Sequence, residues 1–351
     1  MKKLLFLSFL LMPLFIMAQE ITDTSIRGKN IDKYLQYFSN ENPGAVVMVI
    51  KNGEIVFNKA YGLSNIESKE PMNVDKAFNL DELSKAFTSL AIMKLVEKKK
   101  LKLDQSLVDI FSDFPEYGRN IKVRNLLSHA SGLKPYDANL VKTNTQVFEF
   151  LKEQTEPLFE AGTKMNYSNS DYAMLAYIIE KVSKSTYSEF LTKNIFKKAK
   201  MKNTWIAGDN SKTLVAEGHF KEEGNYKVRN EKNTIYGEKG IFSTSTDFAL
   251  WDKAMHSNKL VKPESLAQIF TVEKIKDSEN NSYYGYGWVI MKRNDTWYYW
   301  HSGTGNGYTN LLLYLPDTKT TVLILTNRND GYDFLKLSIA IAKEFDKELK
   351  L

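Results

Sequence analysis

Three short stretches of this 351-residue chain carry residue types able to do chemistry. The first is Phe-Asn-Leu-Asp-Glu-Leu-Ser-Lys-Ala-Phe-Thr at 78–88, where Glu82 and Lys85 stand three apart. On a helix that spacing puts both on one face. From Leu83 to Met93 the only polar residues are Ser84, Lys85, Thr88 and Ser89, so the helix is expected to be buried, and a buried ammonium needs an anion or several acceptors. Glu82 is therefore either a structural partner for Lys85 or a general base held ionised by it. The second stretch is Asn166-Tyr167-Ser168-Asn169 ahead of a helical pattern, and the third is His301-Ser302-Gly303-Thr304 in a glycine-rich run with Gly305 and Gly307. A lone tyrosine before a helix and a lone histidine beside Trp300 are each more often packing residues, so position within a larger pattern has to decide their role.

Composition removes other chemistries. There is no cysteine, which excludes disulfides, thiol catalysis and cysteine metal ligation. The four histidines (His129, His219, His256, His301) lack ligand spacing, and no glycine loop for phosphates is present, so no metal and no cofactor is expected. Net charge is +6, but the lysines are spread along the chain. Their densest run, Lys98 to Lys100 with Lys102, falls at a helix end where cations are favoured; it reads as solvated surface and not as a nucleic-acid site.

Residues 1–18 read as a cleavable signal peptide. Lys2 and Lys3 precede an apolar run from Leu4 to Met17, with cleavage expected after Ala18. A periplasmic or secreted protein follows, with no stable membrane span once the segment is removed.

The elements that must position the three stretches are legible in outline. Ala45 to Lys51 and Glu54 to Tyr61 are β-rich runs joined by Asn52-Gly53, a type I′ hairpin signal. A buried helix runs from about Phe78 to Leu101, and another begins near Ser170 or Asp171. Runs at Gly287 to Lys292, Trp297 to Trp300, Tyr308 to Leu315 and Thr320 to Thr326 alternate as antiparallel strands, and an amphipathic helix is expected from Asp333 to Leu349. The fold class is α/β (α+β): an antiparallel sheet built from both chain ends and flanked by helices, with an inserted mainly helical part. The expected division is 19–77 plus 235–351 for the α/β part and 78–234 for the helical part, with the ligand cleft at their seam.

At these motifs the chain resembles the serine β-lactamase and penicillin-binding protein superfamily, in the branch of class C-type β-lactamases, D-aminopeptidases and esterases. Ser84-Lys85-Ala86-Phe87-Thr88 resembles the second half of the family's Ser-Val-Ser-Lys-aromatic-Thr. Leu126-Leu127-Ser128-His129-Ala130-Ser131-Gly132-Leu133 is similar to Leu-Leu-Thr-His-Thr-Ser-Gly-Leu, and Gly240-Ile241-Phe242-Ser243-Thr244 with Asp247 to a third family segment. Near Met201 the chain has Lys198-Ala199-Lys200 in place of Pro-Leu-Gly. The resemblance implies that Tyr167 passes protons, that Asn169 contacts substrate, that His301-Ser302-Gly303 is a variant of Lys-Thr-Gly, and that the Thr304 and residue-82 N–H groups form an oxyanion hole.

Glu82 stands where the family has its nucleophilic serine. A carboxylate attacking an amide would give an anhydride, so acylation is not expected from it. Ser84 lies about 200° around the helix from residue 82, and the literal Ser-x-x-Lys at Ser131–Lys134 falls in a turn with Gly132 and Pro135. Three functions are compatible: a non-acylating enzyme using Glu82, Lys85 and Tyr167 for acid/base work on an acyl or amide-type small molecule or peptide; an inactive relative that binds a peptidoglycan-like or acyl-amino ligand; and a residual serine hydrolase through Ser84 or Ser302.

Overall fold

A computed structural model of the chain describes residues 20–38, 40–209, 211, 213–228, 234–272 and 282–351. The expected signal peptide lies outside the described residues. Among those described, no helix is long and apolar enough to cross a membrane.

Asn52 and Gly53 both have positive φ, 52° and 78°, which is what a two-residue turn matched to strand twist requires. They join strands Ala45–Lys51 and Glu54–Tyr61 into the expected hairpin. Asn294 and Asp295, at 46° and 63°, do the same between Val289–Arg293 and Thr296–Gly305. Tyr308–Leu315 and Thr320–Thr326 complete the centre of the sheet, where the first strand pairs with Thr320–Thr326, so the two ends of the chain close on one another. With Ser282–Tyr284 at one edge, all seven strands are antiparallel.

Both faces of this sheet are covered, so its inner strands are apolar on both sides. Val46, Met48 and Ile50 face the core shared with the helical part, while Ala45, Val47 and Val49 face helices Ile26–Tyr34 and Phe334–Phe345. The last helix is shorter than its amphipathic pattern. It starts where the Asp333 carboxylate accepts the Lys336 N–H at 3.0 Å and ends at Phe345, although Leu349 and Leu351 still pack into the apolar layer.

The stretch around Glu82 differs from a plain helix start. Phe78–Asn79 is a strand paired with Ile241–Ser243, then Asp81–Ser84 forms one 3₁₀ turn, and the α-helix proper is Lys85–Glu97. Asp81 carries a left-handed φ of 47° to make the corner. The cause is the neighbouring strand: a Cβ at Gly303 would lie 2.0 Å from the Leu80 carbonyl oxygen and 3.0 Å from the Glu82 nitrogen. Only glycine lets the strand and turn approach so closely. Beyond the turn the helix is buried from Lys85 to Met93, as its sequence requires. Helix Asn169–Ser183 packs across it, beginning one residue ahead of the expected start. The hairpin His219–Glu222 with Asn225–Val228 pairs with Arg328–Asn329, beside the main sheet.

Candidate active site

The three stretches meet at the seam. Glu82 on its 3₁₀ turn and Lys85 at the head of the central helix face Tyr167 and Asn169 on one side, and the strand Thr296–Gly305 on the other. Glu82 and Lys85, the expected ion pair, do not pair with one another. The Lys85 ammonium donates to Asn169 Oδ1 at 2.7 Å and lies over the rings of Tyr167 and Tyr172, 4.6 and 5.6 Å from their centres. The Glu82 carboxylate turns instead to the sheet, where its Oε2 accepts the Thr304 backbone N–H at 2.7 Å. An ionised acceptor on a fixed amide is a strong hydrogen bond, and it is stronger than an ion pair open to water at one end.

Burial lowers the Lys85 ammonium below its ordinary value, opposed by the nearby Glu238, Glu82 and Asp81. Glu238 is a site residue that the sequence reading missed. It is fully buried, its Oε1 accepts from the Tyr136 hydroxyl at 2.7 Å with the Lys239 ammonium 3.2 Å away, and its Oε2 has no hydrogen-bond partner among the described residues. Burial raises its pKa, while Lys85 and Lys239 oppose the rise. The available signal was a Glu-Lys pair directly ahead of Gly240-Ile241-Phe242, with no apolar periodicity to justify its place. Asp81 is also buried, its Oδ2 has no hydrogen-bond partner among the described residues, and burial followed by the Glu82 charge pushes its pKa well up.

Tyr167 sits at the cleft mouth against His129 and Tyr284. The residue as a whole is 44% exposed, yet desolvation of the phenol and then the charges of Glu82 and Glu238 push it well above its ordinary value. The phenol therefore stays protonated and offers a donor, not a base.

His301 is committed within the chain. Its Nδ1 donates to the Ser302 carbonyl at 2.6 Å, which leaves Nε2 to accept the Tyr284 hydroxyl at 2.9 Å. Burial and the Lys85 charge lower its pKa to about 3, so both ring nitrogens are occupied in a neutral ring. His129, equally buried, is also pushed well down by burial. The unfolded state binds a proton at each ring near pH 6.5 that the folded state refuses. The His301 contribution to stability is therefore fully present above that pH and falls as pH drops toward about 3, on the order of 1 kcal/mol per pH unit, and His129 acts in the same direction. Buried Asp81, Asp171 and Glu238, whose pKa values are raised, act with the opposite sign, so the test is a difference: in urea unfolding at pH 7, 6 and 5, His301→Asn should change the pH slope by about one proton. An unchanged slope would mean that His301 is protonated in the folded protein.

Among the described residues, no serine hydroxyl fills the place of a nucleophile. Ser84 Oγ points to the far side and accepts the Ile241 N–H at 3.3 Å. On the Thr296–Gly305 strand, Trp297 and Tyr299 pack toward the cleft core while Tyr298 and Trp300 pack toward the terminal helices. By the same alternation His301 and Gly303 face the cleft, and Ser302 and Thr304 face away, leaving Thr304 to contribute its backbone N–H. Ser131 donates to Asp171, accepts the Leu133 N–H at 2.9 Å, and precedes Gly132 at φ 76°, so its Ser-x-x-Lys is a turn held by a buried His129–Asp171 pair. Among the described residues no group of three or more His, Asp or Glu is placed to hold a metal ion.

Over residues 29–344 the sequence matches the family described as Beta-lactamase. This chain is a member of the β-lactamase family. Penicillin-binding protein 4* of Bacillus subtilis is 27% identical over 316 residues, covering 82% of this chain and 69% of that protein. Protein flp of Staphylococcus aureus is 27% identical over 324 residues, 87% of this chain, which spans 64% of flp's length. Among solved structures, the octameric penicillin-binding protein homologue from Pyrococcus abyssi superposes with a TM-score of 0.82 at 25% identity, covering 91% of this chain and 76% of that one. The D-amino acid amidase of Ochrobactrum anthropi SV3, complexed with L-phenylalanine amide, gives 0.74 at 20% identity over 92% and 97% of the two chains. In this chain the carboxylate of Glu82 sits on the Thr304 N–H.

Proposed function

We propose that this chain is a β-lactamase-family protein that binds an amine-bearing amide or peptide in its cleft and does not form an acyl intermediate. The observation that carries this is the 2.7 Å bond from the Thr304 N–H to Glu82 Oε2. That amide would otherwise be free for the oxygen of a polarised carbonyl. With a carboxylate already on it, developing negative charge has lost a donor and gained a repelling neighbour. The turned-away hydroxyls of Ser84 and Ser302 and the protonated Tyr167 phenol point the same way.

An acid/base reading of Glu82 would need the Thr304 N–H for substrate, and it receives less support. The remaining face of Glu82 favours a cation. Glu82 is part-exposed and its Oε1 makes no hydrogen bond among the described residues, so it offers the cleft an acceptor suited to an ammonium. The amidase that shares the fold was solved with an amino-acid amide, and compounds of that class are the first ligands to try.

Titration calorimetry with D- and L-phenylalanine amide, with ammonia assayed in the same samples, tests the proposal. Saturable binding without ammonia release is expected, weakened at least ~10-fold by Glu82→Gln or by N-acetylation of the ligand, since a hydrogen bond between charged groups is lost. Ammonia release that Glu82→Gln abolishes would establish the acid/base reading instead.

A further inference from the structure

The lysines that look dispersed in the sequence are gathered by the fold. A cavity of about 750 Å³ lies where the end of the central helix, the end of helix Asn169–Ser183 and the segment Tyr187–Ala199 come together, and Lys98, Lys100, Lys184, Lys193 and Lys197 line it. All five are exposed. The cavity lining contains one carboxylate, Glu189, whose Oε2 is already bound to the Thr186 N–H at 2.9 Å in a capping box. Lys98 is fixed to Asn194 Oδ1 at 2.9 Å. Among the described residues none of the five makes an ion pair, whereas Lys59, Lys76, Lys152 and Lys239 elsewhere do.

Part of this has a local cause. Lys98 and Lys184 are the C-caps of their helices, where the backbone favours a cation. Lys193 and Lys197 likewise fall in the last turns of Thr192–Phe196 and Lys197–Ala199, so helix ends account one by one for all but Lys100. They do not account for a concave surface that gathers five like charges, which repel within a Debye length. Such an arrangement is stabilised when an anion enters.

We infer that this cavity is a docking site for a phosphate-bearing polyanion, separate from the cleft. Five ammonium groups on flexible stems suit a chain of phosphates better than one planar carboxylate. A bilayer is disfavoured as occupant because the large exposed hydrophobics (Ile21, Ile26, Tyr37, Leu140, Leu158, Tyr167, Leu214, Tyr332) all lie outside the segments that build the cavity. Nothing is there to insert between lipids.

The test is titration of the full chain with fluorescently labelled short-chain inorganic polyphosphate at physiological salt. The triple variant Lys100→Gln, Lys193→Gln, Lys197→Gln is compared with Lys33→Gln, Lys253→Gln, Lys336→Gln, which removes the same charge elsewhere. All six side chains are exposed, so both variants should fold, and their melting curves check it. Saturable binding is expected, weakened at least ~10-fold in the first variant and less than ~2-fold in the second, with strong salt dependence from counterion release. Equal weakening in both would reduce the effect to net charge. Absence of binding, or displacement of polyphosphate by phosphatidylglycerol vesicles, would equally overturn the inference.

Discussion

Glu82→Ser is expected to be covalently labelled by benzylpenicillin and by a fluorophosphonate probe, and the unmodified protein is expected to remain unlabelled. Three effects of the substitution act together. It frees the Thr304 N–H now held by Glu82 Oε2 at 2.7 Å. It removes the Glu82 charge, which after burial does most to raise the pKa of the Tyr167 phenol. It also places a hydroxyl one helical turn from Lys85, whose ammonium is already oriented by Asn169 at 2.7 Å and whose pKa is already lowered by burial. A single oxyanion donor contributes ~10²- to 10³-fold to such reactions, and an activated hydroxyl adds to that. Intact mass should show one added equivalent on the variant and none on the unmodified protein. An adduct on the unmodified protein would mean that another nucleophile works; no adduct on either would mean that the cleft does not accept these acylating probes even with a hydroxyl at position 82.

Lys85→Met should cost about 3 kcal/mol of stability, the scale for removing one partner from a buried charged network. Methionine fills the same space, so the loss is electrostatic. Lys85 is fully buried at the head of the central helix, and without it Asn169 Oδ1 loses its donor and the buried carboxylates Glu238 and Asp81 lose one of the two cations, Lys85 and Lys239, that favour their charged forms. Urea unfolding of Lys85→Met, Glu238→Gln and the double variant measures this. The double variant should recover part of the loss, because the amide no longer requires a counter-charge. Simple additivity would show that Lys85 and Glu238 do not interact, and a Lys85→Met protein of undiminished stability would show that the ammonium is dispensable to the fold.

What the sequence determined is what rests on neighbours in the chain. Asn52-Gly53 dictates its turn because those two residues tolerate positive φ, and the strands Ala45–Lys51, Glu54–Tyr61, Tyr308–Leu315 and Thr320–Thr326 follow from apolar runs bounded by turns. The buried helix was equally legible in its lack of polar faces, and the three motifs in their order sufficed for the family.

Tertiary structure decided the pairings. Glu82 and Lys85, three residues apart, could have paired locally, but their strongest partners are 222 and 84 positions away, at Thr304 and Asn169. A hydrogen bond to a fixed amide or a buried carboxamide outcompetes a surface-type ion pair, and no local spacing encodes where those groups will be. The same holds for Glu238, whose place beside Lys85 follows from a turn between distant segments, and for the five cavity lysines, which three separate segments bring together. Backbone torsions and hydrophobic periodicity are local properties and are readable in sequence. The destination of a charged side chain depends on which remote acceptor or donor the packed core has left unsatisfied, and only the folded chain supplies that.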